Sequence, residues 1–189
     1  MPAKLRNALG QVTAVPFEGT AFRVMFGGIL VRDSEFKHLQ AQIGAGRCNP
    51  GGIRRIYLAL EKKTARAEFE HVQKSLDPDT DPDLVEAHEF AVRVKLGRIL
   101  DICDEQTRNV IGIDLAAISE DWRFTASMTR LQTLGKLVAE GVGDFVAIRY
   151  PSQRTDSGIN IVVFTDRLQN DDFLEANTIR PTGRLTGAR

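Results

Sequence analysis

Four polar residues define the chemistry this chain could do: Arg47, Tyr57, Glu68 and Ser152. Arg47 lies in the glycine-rich turn Gly44–Gly52, and Tyr57 in the short apolar run Ile56–Leu60 that follows it. Glu68 falls in the next helical stretch, and Ser152 follows Pro151 at the end of a second apolar run, Phe145–Tyr150. A guanidinium grips phosphoryl oxygens as a fork, an aromatic ring offers a stacking face, a carboxylate offsets positive charge, and a hydroxyl orients a ligand. Together they suit a phosphorylated, partly aromatic ligand better than a metal or a nucleophilic triad. Taken singly, each has a plainer reading: a turn arginine, a core aromatic, an exposed helical carboxylate, and a turn serine or helix cap. Ser157 is a competing serine, but it sits in the ordinary turn Asp156-Ser157-Gly158 without the preceding Tyr-Pro.

The elements that must position these residues can be read from hydrophobic periodicity. Thr20–Phe26 reads as a first strand, Asp33–Gln42 as a helix or helical turn, and Ile56–Leu60 as a short buried strand. From Lys63 the period becomes helical, with Ala65, Phe69, Val72 and Leu76 in one narrow arc. Glu68 lies roughly 70° from the centre of that arc, whereas Glu70 and Lys74 point away, so Glu68 is expected to look along the protein body. A strand pair is expected at Glu89–Val94 and Arg98–Ile102 with Gly97 between them, followed by a helix over Asp104–Ile113 and a polar stretch to Arg123. A second amphipathic helix carries Leu131, Leu134, Leu137 and Val138 and closes at Gly141; strands follow at Asp144–Tyr150 and Asn160–Phe164. Strands and helices alternate irregularly and adjacent strands pair as if antiparallel, which predicts an α+β domain with mixed, largely antiparallel sheets and flanking helices.

Composition bounds the function classes. The chain has 189 residues with 42% hydrophobic content, the size of one domain with one core. Residues 171–189 carry few large apolar side chains and are expected to form a loosely ordered tail. Twenty-five basic residues balance twenty-five acidic ones, which gives no global bias toward nucleic acid. Two cysteines, Cys48 and Cys103, form no disulfide framework or zinc pattern, which fits a reducing cytoplasm. Neither a signal-peptide core nor a run near the ~20 apolar residues of a membrane span is present, so a soluble protein is expected.

Three patterns imitate known sites and fail on inspection. Gly44-Ala45-Gly46 begins like a dinucleotide fingerprint, but Asn49 replaces the third glycine and the segment leads to a strand. The acidic loop Leu76–Asp83 resembles a calcium loop but has Pro82 where glycine is needed and His88 where glutamate is needed. His88-Glu89 starts a zincin-like pattern that ends at Val92, and no metal site is expected.

Read jointly, the segments resemble the RES domain family, named for its arginine, glutamate and serine. Gly46–Gly52, Ile56–Ala59 and Thr64–Glu68 are similar to the front half of that domain. Val94–Asp101, Leu131–Gly135, Tyr150-Pro151-Ser152 and Asn160–Phe164 are similar to its back half, so the resemblance runs from about Thr20 to Phe164 in the family's order. It implies a fold similar to that of the ADP-ribosyltransferases and breakdown of NAD at the nicotinamide–ribose bond by water or phosphate. It also implies a toxin held in check by an Xre-type antitoxin that covers the site. Arg47 would then clamp the diphosphate, Tyr57 stack on the nicotinamide or its ribose, Glu68 offset developing positive charge, and Ser152 bond the ribose or amide. Arg23 matches a recurring family arginine that could bind phosphate or pair with a core carboxylate, and Gln132 and Asn160 would orient the ligand or satisfy backbone groups. Cys48 departs from the bulky residue often found at its position, a change that fits a small core thiol or an oxidation-sensitive pocket. ADP-ribosyl transfer to a protein and a catalytically silent nucleotide- or partner-binding module are the alternatives.

Overall fold

A computed structural model describes residues 2–26, 39–79, 81, 87–176 and 184–186. Helix α1 (Pro2–Leu9) precedes strand β1 (Val15–Phe26), β2 (Arg55–Ala59), α2 (Lys62–Leu76) and the long strand β3 (Ala87–Asp101). Three helices follow, α3 (Glu105–Ile111), α4 (Leu115–Ser119) and α5 (Arg130–Ala139). The chain then forms β4 (Ala147–Pro151), β5 (Ile159–Phe164), β6 (Phe173–Ala176) and β7 (Arg184–Thr186). This is the α+β architecture the sequence predicts.

The sheet closes on itself. Strand order runs β1-β2-β5-β4-β3-β6-β7, and β1 also pairs with β3, so β1, β2, β5, β4 and β3 form a ring of hydrogen-bonded neighbours. All these pairings are antiparallel except β3 with β4, which are parallel at Ile99–Ala147. Alternation in β1 and β3 reflects the period of two: Ala21, Arg23 and Met25 are buried, as are Val92, Val94 and Leu96. β5 has lost that alternation because both its faces are covered. Val162 and Phe164 pack with Leu131, Leu134 and Val138 of α5, while Ile161 and Val163 pack with Ile56, Leu58 and Val94. Helices therefore sheath one face of β5, and the other looks into the core of the ring.

Several expected elements change shape. The strand pair proposed around Gly97 is one continuous strand, β3, and Gly97 is not a turn. It sits where β3 exchanges one edge partner for another, β6 up to Lys95 and β4 from Ile99, and its N–H donates to Asp172 Oδ1 at 2.7 Å. The polar stretch before Arg123 contains α4, whose N-cap Asp114 accepts from the Ala117 N–H. The expected loose tail is overturned at its start: Phe173 and Leu174 are buried, and β6 lies against β3. There, local composition gives way to a sheet edge that needs covering. On α2 the buried set is Thr64, Ala65, Phe69 and Gln73, whereas Leu76 is 73% exposed, so the inward face is turned from the expected arc. Most of the helix expected at 33–42 lies outside the described residues; Leu39 is buried and Gln42 bridges to Arg55. Among the described residues, no helix is long and apolar enough to cross a membrane.

Candidate active site

The turn carrying Arg47 is fixed from behind by a polar network centred on the buried Asn49. Its side-chain N–H groups donate to the Gly44 carbonyl at 2.9 Å and the Pro50 carbonyl at 2.7 Å. Its Oδ1 accepts from Tyr57 Oη at 2.8 Å and Arg55 Nε at 3.1 Å. Tyr57 Oη in turn accepts from the Cys48 N–H at 2.9 Å. From α5, Gln132 Nε2 donates to the carbonyls of Gly46 at 2.9 Å and Asn49 at 3.4 Å while its Oε1 completes a capping box with Thr129. Two glycines make the approach possible: a Cβ at Gly46 would meet Tyr57 Oη at 2.6 Å, and one at Gly135 would overlap the Cys48 carbonyl. Arg47 is thereby presented forward, and its Nη1 donates to the Ile118 carbonyl at 2.8 Å and the Glu120 carbonyl at 3.2 Å. That tie binds the turn to the end of α4 and leaves the other guanidinium donors for a ligand.

Glu68 faces the same space from α2. It lies between the buried Thr64 and Ala65 around the helix, so its carboxylate turns toward β4 and β5. Ser152 Oγ donates to Glu68 Oε1 at 2.8 Å, and Asn160 Nδ2 donates to the same oxygen at 2.7 Å. Ser152 is itself oriented by the Arg154 N–H, 3.1 Å from its Oγ. Among the described residues, no hydrogen bond goes to Oε2, so one carboxylate oxygen is immobilised and the other is available.

Between the turn and α2 opens a cleft of about 380 Å³, within the range of roughly 300–1,000 Å³ usual for small-molecule sites. Arg23, Arg47, Arg55 and Arg123 line it, and among the described residues Glu68 is the one acidic side chain in its lining. A chain with no net charge has thus concentrated positive charge at one concavity, which focuses the field on an anionic ligand. Burial and the neighbouring Arg55 lower the pKa of Arg23 to about 10. Burial also lowers Arg55. His71, further along α2, stands 2.7 Å from Arg154 Nη2 and 3.5 Å from Arg123 Nη1. Desolvation, then the two guanidiniums, hold its pKa below the usual histidine value, so it takes no positive charge at neutral pH. Among the described residues, no cluster of three or more histidine, cysteine or acidic side chains could hold a metal ion.

The sequence profile of the RES domain matches residues 20–185. The chain belongs to the RES domain family. No curated protein matches it. Among solved structures, it is similar to one described as the crystal structure of the M. tuberculosis MbcT–MbcA toxin–antitoxin complex. The likeness has a TM-score of 0.71 at 17% identity and covers 93% of this chain and 90% of the other.

Against this RES fold, the residues expected from sequence separate into two groups. Arg47, Arg23, Tyr57, Glu68 and Asn160 all line the cleft. Ser152 is only 9% exposed and is absent from the lining; its hydroxyl donates to Glu68. Gln132 also lies outside the lining and donates to the turn's carbonyls, which matches the second of its two expected roles, satisfying backbone groups. Tyr57 offers only its ring, with the Arg55 guanidinium 5.4 Å from the ring centroid, because its hydroxyl is committed to Asn49 and Cys48. Cys48 is fully buried and burial drives its thiol pKa far up, which favours the small core thiol over the oxidation-sensitive one. Sequence reasoning missed Asn49, Arg55, His71 and Arg123. The only available signal was the spacing of Arg55 and Tyr57, two apart on one strand and so on one face.

Proposed function

We propose that the cleft binds NAD and breaks the bond between nicotinamide and its ribose, with water or phosphate as acceptor. The observation that carries this reading is Glu68, fixed at Oε1 by Ser152 and Asn160 with Oε2 open, in a cleft whose lining also carries Arg23, Arg47, Arg55 and Arg123. As the C1′–N bond breaks, its electron pair leaves with nicotinamide, which departs neutral and needs no protonation. Positive charge gathers on the ribose in an oxocarbenium-like state. Glu68 offsets that charge and accepts a hydrogen bond from a ribose hydroxyl through Oε2. Its fixed orientation means the site does not have to reorganise as charge develops. The acceptor oxygen then bonds to C1′, and water gives up a proton in doing so. Arg47 and Arg23 hold the diphosphate, and the Tyr57 ring forms a flat wall against the nicotinamide riboside.

In a cell this activity would drain a cytoplasmic metabolite and act as a toxin. The similarity to a toxin bound to its antitoxin supports a protein partner, and an Xre-type antitoxin covering the cleft would provide the restraint. Incubating the purified protein with NAD, with and without phosphate, tests the chemistry. Free nicotinamide is expected, with ADP-ribose as co-product when water is the acceptor and its 1-phosphate when phosphate is. No release of nicotinamide under either condition would overturn the reading.

A further inference from the structure

Arg55 is 4% exposed, yet its Nη1 has no hydrogen-bond partner among the described residues. Its Nε donates to Asn49 at 3.1 Å, and the guanidinium stands over the Tyr57 ring, 5.4 Å from its centroid. A buried guanidinium donor left unpaired is costly, and a second buried arginine, Arg23, adds like-charge repulsion beside it. An anion at this wall of the cleft would relieve both.

The strand geometry places that wall relative to the reacting centre. Ala59 pairs with Asn160, which holds Glu68, whereas Arg55 pairs with Phe164 at the opposite end of β2. Four residues of strand separate the two backbone positions by about 13 Å, and the Arg55 guanidinium lies on the Asn49 side of the cleft, 5.4 Å from the Tyr57 ring centroid. An oxyanion at Arg55 therefore sits on the side of the cleft away from the ribose carbon held at Glu68. It belongs to a part of the ligand remote from the bond that breaks.

We propose that Arg55 forms a phosphoryl-binding subsite at the end of the cleft distant from Glu68, which engages the far phosphoryl groups of a dinucleotide. This rests on the dinucleotide reading above and deepens it, because it assigns a ligand contact outside the family residues named from sequence. Phosphoryl oxygens at this position could come from the diphosphate of NAD or from the additional 2′-phosphate of NADP.

Nicotinamide mononucleotide carries the same scissile bond and the near phosphate but lacks the adenylate-side phosphate and the 2′-phosphate, so it separates binding of the far phosphoryl groups at Arg55 from any structural role through Asn49. In Arg55→Gln, kcat/KM is expected to fall roughly tenfold or more for NAD, NADP or both and to hold for the mononucleotide. A fall for NAD identifies the diphosphate, and a fall confined to NADP identifies the 2′-phosphate. Equal losses on all three substrates would overturn the proposal in favour of a structural role, as would no loss on any. If the glutamine variant does not fold, Arg55→Lys keeps the charge and loses the fork, and the same selective loss is expected to a smaller extent. Equilibrium binding of ADP and of adenosine 2′,5′-bisphosphate supplies a readout independent of turnover. Wild type failing to cleave any substrate would sink the enzymatic reading alone, whereas equal affinity of wild type and Arg55→Gln for both ADP and adenosine 2′,5′-bisphosphate would sink the subsite.

Discussion

At the scale of single residues, the site depends on one carboxylate and the two groups that hold it. Glu68→Gln is expected to keep ligand affinity and to lose turnover by about a hundredfold or more, since the amide keeps the shape and removes the charge. Glu70→Gln is the control, because Glu70 pairs with Arg66 on the same helix outside the cleft lining. Similar losses from the two would mean helix damage instead. Thiol chemistry gives a second check. Burial puts Cys48 out of reach of alkylation, and Cys103, raised to about 12 by burial and then by Asp101, is expected to react slowly in the native protein at pH 8. Rapid labelling of either before unfolding would contradict the packing. His71 sets a pH dependence. Its folded pKa lies below the unfolded value of about 6.5, so the unfolded chain binds the proton more readily and stability falls as pH drops through and below that value. The denaturation midpoint is expected to decline from pH 7 to pH 5 more in wild type than in His71→Gln. The residues most legible in the sequence were Arg47 and Glu68, whose turn and helix positions are local facts. Ser152 was found, but its partner was not, because a contact 84 residues away leaves no mark on local pattern.

At the scale of elements, the turn at Arg47 and helix α5 form one mechanical unit. Gly135→Ala would push a methyl into the Cys48 carbonyl, and the backbone on either side has no slack, so a loss of roughly 1–3 kcal/mol is expected. Turnover should fall beyond the stability effect because Arg47 rides on the displaced turn. Measuring both thermal midpoint and kcat/KM separates the two. Gln132→Ala removes the capping box and the two carbonyl contacts and is expected to be damaging in the same direction. Helices α2, α3 and α5 and the short strands β2, β4 and β5 were readable because their periods are strong over short windows, whereas α1, α4 and β6 were not read. β3 was misread as a pair because Gly97 carries a turn signal, whereas its N–H is satisfied by Asp172, 75 residues on. The inward face of α2 was likewise misjudged. Apolar Leu76 reaches solvent past the end of its neighbours, while polar Thr64 is buried against Thr155, with the hydroxyls 2.9 Å apart.

At the scale of the whole molecule, ring closure of the sheet and the covering of β3 by β6 decide whether the cleft exists at all. A chain truncated after Asp171 would lose the buried side chains Phe173 and Leu174, each of which contributes roughly 1.5–3 kcal/mol. It is expected to unfold at a lower temperature by circular dichroism, and an unchanged midpoint would show that β6 is dispensable. A partner that covers the cleft should compete with NAD, so turnover measured against rising antitoxin concentration is expected to fall in step with complex formation. The architecture also sets a timetable. Glu68 waits for Ser152 and Asn160, which follow it by 84 and 92 residues, and β1 cannot complete the ring until β3, β4 and β5 have been made. At ribosomal rates of about 5–20 residues per second, the carboxylate leaves the peptidyl-transferase centre roughly 4–18 s before the side chains that aim it. A nascent chain therefore carries every front-half residue of the site before the proposed activity can begin. Under the proposed toxin reading, a neutralising partner has that interval in which to be ready.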